Sequence, residues 1–182
     1  MDFLIKNGTI YDPAQHKTWK GDVALVDGKI AAPSENHSYR QVIDAKGCIV
    51  TTGLIDYHVH YMRGASEGGV QADVVSFCSG ITSVVDGGTA GTGMFEHIYR
   101  TIVANSQVRF LNMLLVASGG QSNNQYPENL DPALMDEKKI VEFFKKYPEN
   151  LVGLKTRISH GIIEADKVEA PICRTVEIAE KA

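Results

Sequence analysis

From about residue 49 onward, segments that read as strands alternate with segments that read as helices, and this alternation restricts the fold more than any other feature of the chain. The strand-like segments are Ile49–His58, entered through Thr51-Thr52-Gly53, then Ile81–Asp86, Phe110–Ala117 and Leu151–Ile158. Between and after them, apolar residues recur at helical spacing: Phe95, Ile98 and Ile102; then Ile140, Phe143, Phe144 and Tyr147, stopped by Pro148; then Ile172, Thr175, Val176 and Ala179. Parallel strands cannot be joined by a tight hairpin, so four βα units in succession predict a parallel sheet with right-handed crossovers. With 43% hydrophobic residues the chain has ample material for a core.

Residues 1 to about 50 follow a different rule, short apolar runs punctuated by turn residues. Phe3-Leu4-Ile5 and Thr9-Ile10-Tyr11 flank Asn7-Gly8, which predicts a turn. Val23–Val26 and Lys29–Ala31 flank Asp27-Gly28, the strongest short-range hairpin signal. Val42–Asp44 and Cys48–Val50 are expected to pair in the same manner across Ala45-Lys46-Gly47. A sheet this small needs a second layer to cover its apolar face.

A closed barrel of eight such units takes about 250 residues, whereas about 130 follow the β module. The expected architecture is therefore α/β: the first half of a (β/α)8 TIM-type barrel over 51–182, preceded by a small β-sandwich module over 1–50. The expectation follows that the chain is the front half of something longer, with its first and fourth barrel strands as open edges that favour self-association.

Charge narrows the partners. Eighteen Lys and Arg against 22 Asp and Glu give a net charge of -4 and a pI near 5.8, which argues against nucleic acid or an anionic membrane and for a small-molecule substrate. The start of the chain has neither the basic region nor the apolar run of a secretory signal, no stretch is long enough to span a membrane, and Cys48, Cys78 and Cys173 form no CxxC pair. The expectation is a cytoplasmic homo-oligomer with reduced, partly buried thiols.

Two motifs carry the chemistry. In Gly53-Leu54-Ile55-Asp56-Tyr57-His58-Val59-His60, alternate side chains of a strand share a face, so Asp56, His58 and His60 point one way and Tyr57 and Val59 the other. Two imidazoles roughly 6.6 Å apart along a strand can converge on one cation, and the pair sits where the strand runs out, the end at which parallel α/β proteins place ligands. In Val152-Gly153-Leu154-Lys155-Thr156-Arg157-Ile158, Gly153, Lys155 and Arg157 share the face that would look into a barrel. An inward lysine is expensive to keep charged, so its amine is expected to be available; a lysine paired with a buried carboxylate, or one at the exposed face of an open sheet, is the plainer alternative.

Together these residues resemble the amidohydrolase superfamily. Gly53-x-x-Asp56-x-His58-x-His60 is similar to that family's first-strand metal motif and follows a β module like the one in its dihydroorotase, hydantoinase and deacetylase branches. Lys155 matches the fourth-strand lysine whose amine is carboxylated by carbon dioxide to bridge two metals. The segment Gly80–Gly91 resembles the deacetylase-type branch. The resemblance implies His58, His60 and Lys155 as metal ligands, two divalent ions, zinc by default, and hydrolysis of a C–N bond in an N-acyl or cyclic amide. It implies a positioning role for Asp56 and places the family's remaining ligands and its proton-accepting aspartate beyond residue 182, so the chain alone is expected to be inactive. Met62 stands where the dihydroorotase branch has an arginine, and Arg63 comes one residue later. The alternatives are a one-metal purine-type deaminase, with Lys155 uncarboxylated, and a non-catalytic scaffold.

Other features read more plainly. Gly87-Gly88-Thr89-Ala90-Gly91-Thr92-Gly93 fits neither nucleotide fingerprint and is expected to be a flexible loop at the mouth of the site. His160 is expected in a solvated loop, His97 on a helix surface, His16 and His37 in loops without partners, and Lys138, Lys139, Lys145 and Lys146 on the wet face of a helix.

Overall fold

The computed structural model describes residues 2–64, 66, 68–121 and 127–182. The chain divides into two compact units, Met1–Thr52 and Gly53–Ala182.

In the first unit, β1 (Phe3–Asp12), β2 (Lys17–Val26), β3 (Lys29–Ala31), β4 (Gln41–Asp44) and β5 (Ile49–Val50) form one five-stranded mixed sheet. The β2–β3 hairpin turns at Asp27 and Gly28, whose φ values of 51° and 73° are the left-handed pair that such a turn needs. Asn7-Gly8 is not a turn. Strand β1 runs straight through it and slips register against β2 between Ile5 and Gly8, a bulge with Asn7 at φ 62°. Long-range contacts fix the bulge: the Asn7 amide N–H donates to Asp22 Oδ1 (2.8 Å) and its side chain to Asp44 Oδ1 (2.9 Å). Nor do β4 and β5 form a hairpin. Both run parallel to β1, at Phe3–Lys6 and Thr9–Ile10, and residues 45–48 carry the chain past the bulge. His37 has a partner after all, Asp2 Oδ2 at 2.7 Å.

The second unit contains β6 (Leu54–Val59), α1 (Ala72–Phe77), β7 (Ile81–Asp86), α2 (Phe95–Thr101), β8 (Arg109–Leu115), α3 (Glu137–Lys146), β9 (Leu151–Lys155) and α4 (Glu169–Ala179). The four strands are parallel and lie in chain order. The first barrel strand begins at Leu54, not Ile49, because Ile49 and Val50 pair with β1; Gly53 marks the break, since a Cβ there would stand 2.1 Å from Thr82 Oγ1. The core is built from the apolar side of the sheet (Val84, Phe110, Leu114) and the helices above it (Phe95, Ile98, Ile140, Phe143), all buried. Helices α2 and α3 meet through rings, Phe95 lying 5.8 Å from Phe143 and 5.4 Å from Tyr147 between centroids. Asp136 caps α3 by accepting from the Lys139 amide.

Helix α4 turns a different face inward from the one its apolar spacing predicts. Pro171 and Ile178 are buried, while Ile172 and Val176 are exposed. Polar pairings set the rotation: Thr175 Oγ1 meets Thr156 Oγ1 (2.5 Å), and Arg174 Nη2 meets Glu137 (2.8 Å). Strands β6 and β9 are the sheet edges, with Ile55 64% and Tyr57 73% exposed. All three cysteines are free and exposed, contrary to the expected partial burial, because none falls on a face that packs inward. Among the described residues no helix is long and apolar enough to cross a membrane.

Candidate metal centre

A cavity of about 220 Å³ opens at the C-terminal ends of the barrel strands. His58 and His60 reach it from the end of β6, Lys155 and Arg157 from the end of β9, and Gly87 and Gly88, just after β7, lie between them. The imidazoles lie edge to face with centroids 5.7 Å apart. Val59, between them in sequence, points the other way into the core.

The two glycines are required by what rests on them. A Cβ on Gly87 would lie 2.6 Å from Cδ2 and Nε2 of His58. A Cβ on Gly88, at φ +95°, would lie 2.6 Å from Cβ and Cγ of Lys155. The loop is a packed shelf rather than a flexible flap. Residues 86–92 are buried, and three backbone hydrogen bonds of 2.8 Å tie the segment down: Leu115 N–H to Ala90 O, Gln121 N–H to Thr89 O, and Gly93 N–H to Ser118 O.

Behind His60 stands a relay. Asp86, fully buried, accepts at Oδ1 from the amides of Gly88 (3.1 Å) and Thr89 (2.7 Å), and at Oδ2 from the Thr89 hydroxyl (2.9 Å). That hydroxyl has one proton and gives it to Asp86. Toward His60 Nδ1, 2.8 Å away, it is therefore an acceptor, which puts the ring proton on Nδ1 and leaves the Nε2 lone pair available. Burial holds the His60 imidazole below its ordinary pKa, with Asp86 pulling the other way, and burial pushes the Asp86 carboxyl up against its three donors. A neutral imidazole with a fixed tautomer is the form that binds metal.

The guanidinium of Arg157 donates from Nη1 to Glu128 Oε1 (3.0 Å), and burial raises the Glu128 carboxyl while Arg157 lowers it. Among the described residues no three His, Cys, Asp or Glu side chains converge. A cation here would be held by the two imidazoles and Lys155, a set that fits a divalent ion if the lysine is carboxylated.

The remaining candidates lie elsewhere. Asp56 accepts from the His58 amide at 3.4 Å, within its own strand. His160 is exposed and lines a different cavity, as does Arg63, beside Tyr61 and Asp73; Met62 is fully buried. His97 and His16 are exposed. Sequence reasoning missed Asp86, Thr89 and Glu128. Asp86-Gly87-Gly88-Thr89 does carry a signal, an aspartate able to accept from the amides two and three residues on.

No family model matches the chain. Over 143 residues, 78% of this chain, it is 33% identical to Deacetylase Atu3266 of Agrobacterium fabrum, 34% of which is covered. A crystal structure of a dihydroorotase matches with a TM-score of 0.83 at 29% identity, over 98% of this chain and 48% of that one. An adenine deaminase structure matches at 0.80 with 23% identity, over 99% of this chain and 48% of that one, a likeness of fold alone. The chain thus spans between a third and a half of the length of these three proteins. The fold is that of half a (β/α)8 barrel with a β module before it. Over most of its length the chain is thus similar to part of a deacetylase and part of a dihydroorotase, the kinds of protein to which the amidohydrolase resemblance of its sequence leads.

Proposed function

We propose that this chain forms the metal-binding front half of a hydrolase acting on a C–N bond in an N-acyl or cyclic amide. The observation that carries the reading is the Asp86–Thr89–His60 relay, which leaves Nε2 of His60 as a ligand beside His58 and Lys155 in one cavity. His58 and His60 would hold one divalent ion, zinc by default, and Lys155, carboxylated on its amine, would bridge to a second. Such ions supply polarisation of the amide carbonyl and a lowered pKa for the attacking water. The chain's own residues do the rest of what is possible here. Thr89 and Asp86 keep the His60 proton on Nδ1, and the Gly87-Gly88 shelf lets the imidazole of His58 and the stem of Lys155 approach each other. Among the described residues no carboxylate lines the cavity, so a proton acceptor for the water must come from elsewhere.

The test is metal content with a paired assay. The 182-residue protein in bicarbonate should take up zinc, and His58→Asn with His60→Asn should abolish uptake while the fold survives. Labelled carbon dioxide should appear on Lys155 by mass spectrometry or carbon NMR. The zinc-loaded chain should not hydrolyse N-acetyl amino acids above background. Failure of the unsubstituted chain to bind zinc would overturn the reading.

A further inference from the structure

Asn7-Gly8 is the single Asn-Gly pair of the sequence, and it sits in mid-strand rather than in a turn. The pair carries a reaction of its own. A glycine nitrogen is screened by no side chain and its backbone rotates freely, so it can attack the asparagine carboxamide before it. The Gly8 nitrogen gives its proton to a base in water and bonds to Asn7 Cγ; the Cγ–Nδ2 bond breaks, ammonia leaves, and a succinimide remains. Water then opens the ring at either carbonyl and leaves aspartate or isoaspartate. Water is the only co-reactant.

The bulge holds each participant off that path. The carboxamide is pinned: its nitrogen donates to Asp44 Oδ1 at 2.9 Å, and the Lys46 amide bonds the same oxygen at 3.1 Å. Those two donors hold the Asp44 carboxyl below its ordinary pKa, which keeps it an ionised acceptor. The Asn7 backbone stays at φ 62° with its own N–H on Asp22 Oδ1 at 2.8 Å. On either side, main-chain bonds from the Ala45 amide to Lys6 O (2.8 Å) and from the Thr9 amide to Cys48 O (2.9 Å) hold the strand. Gly8 is buried, and a Cβ on it would lie 2.5 Å from Cγ2 of Val50. Its nitrogen is thereby shielded from the base that must take its proton.

The product fits the site badly. An ionised aspartate at position 7 has no proton to give Asp44, and it joins Asp22 and Asp44 as a third carboxylate at one bulge, with Lys6 as the nearby cation that offsets part of the repulsion. Isoaspartate also adds a methylene to the main chain of β1, the strand that pairs with β2, β4 and β5. We propose that Asn7-Gly8 is a self-modification site that the folded sheet keeps shut: it converts when β1 leaves its partners, and a converted chain does not rebuild the bulge. Time spent unfolded is then written permanently into the covalent chain. The site is independent of the metal centre.

The experiment ages the full chain at physiological pH and temperature, once folded and once unfolded in guanidinium, and follows residue 7 by mass spectrometry of its peptide together with ammonia release. The unfolded chain should convert at least about tenfold faster, because a strand bonded on both edges opens rarely. Asp44→Ala, which frees the carboxamide, should convert faster than the parent while still folded by circular dichroism. Asn7→Gly, which suits the left-handed φ and removes the reacting amide, should give no product at this position. The converted chain, purified and returned to native buffer, should melt below the parent, whereas unconverted chain taken through the same cycle should recover. Equal rates in the folded and unfolded chain overturn the proposal, as do an unchanged rate in folded Asp44→Ala and a converted chain that regains the parent's melting temperature. Should Asp44→Ala not fold, the first and last of these comparisons decide.

Discussion

Replacing Asp86 by Asn changes almost no volume at a fully buried position, yet it should invert the hydrogen bonds that reach His60. The backbone amides of Gly88 and Thr89 both point at Oδ1, at 3.1 and 2.7 Å, so the asparagine oxygen takes that side and its NH2 faces Thr89 Oγ1. The hydroxyl then accepts from the amide and turns its own proton toward His60 Nδ1, 2.8 Å away. The ring is left with its proton on Nε2 and no lone pair there for a cation. Rebinding metal means breaking one of these neutral bonds, at about 0.5–1.5 kcal/mol, and changing the hydrogen-bond partner of a metal-binding histidine typically costs roughly 10–100-fold in metal affinity. Thr89→Val is the companion variant. It strands Asp86 Oδ2 and His60 Nδ1 together, so it should destabilise by about 2–3 kcal/mol while releasing the tautomer instead of reversing it. Zinc competition against a chelator ranks the affinities, thermal melts rank the stabilities, and nitrogen NMR of the imidazole reads the tautomer. The expected pattern is that Asp86→Asn is the more stable of the two and binds zinc no better. Wild-type zinc affinity in Asp86→Asn, or an Nε2 proton on His60 in the unsubstituted protein, would refute the relay.

Two further outcomes follow from the geometry. Gly87→Ala places a Cβ 2.6 Å from the His58 ring; because the ring can swing outward, zinc uptake should fall with little change in melting temperature, and equal uptake would show that the shelf is not needed. Asp73 responds to acid. Burial alone would raise its pKa, but the Ser106 hydroxyl and the amides of Gln107 and Val108 together hold it below the ordinary value. With a depressed folded value, the stability it contributes is complete above the unfolded value near 4 and is lost as pH falls through the folded one. Urea midpoints of Asp73→Asn should therefore lie closer to those of the parent at pH 3 than at pH 6.

Local signals were legible wherever neighbours in sequence are neighbours in space. Strand β7 is bounded by Gly80 and Gly87, and its apolar run reads directly as Ile81–Asp86. The Asp27-Gly28 turn needs only its own two backbones. What could not be read depends on contacts across the chain. Ile49 and Val50 look like the start of the first barrel strand and belong to the other sheet because β1 is there to pair with them. Helix α4 carries an apolar stripe that faces solvent, since its orientation is set by Thr156 on β9 and Glu137 on α3. Asp86 and Thr89 look like a strand end and a loop residue until β6 is known to run beside β7, which brings His60 to the Thr89 hydroxyl.

The placement of the candidate ligands makes a stronger demand on the fold than the motifs themselves do. His58 and His60 extend from one edge strand and Lys155 from the other, with β7 and β8 between. In a flat sheet those edges would be roughly 14 Å apart, three spacings of about 4.8 Å, too far for side chains that must meet around ions. Two features close the gap. The twist and coiling natural to parallel strands turn the edges toward each other, and the loop after β7 offers Gly87 and Gly88, with no side chains, over which the imidazole of His58 and the stem of Lys155 lie. A side chain at either glycine would act as a spacer between the ligands. The His-x-His pair, the lysine and the two glycines are therefore argued as one device, and the proposed metal centre would depend on the curvature of the half barrel as much as on its donors.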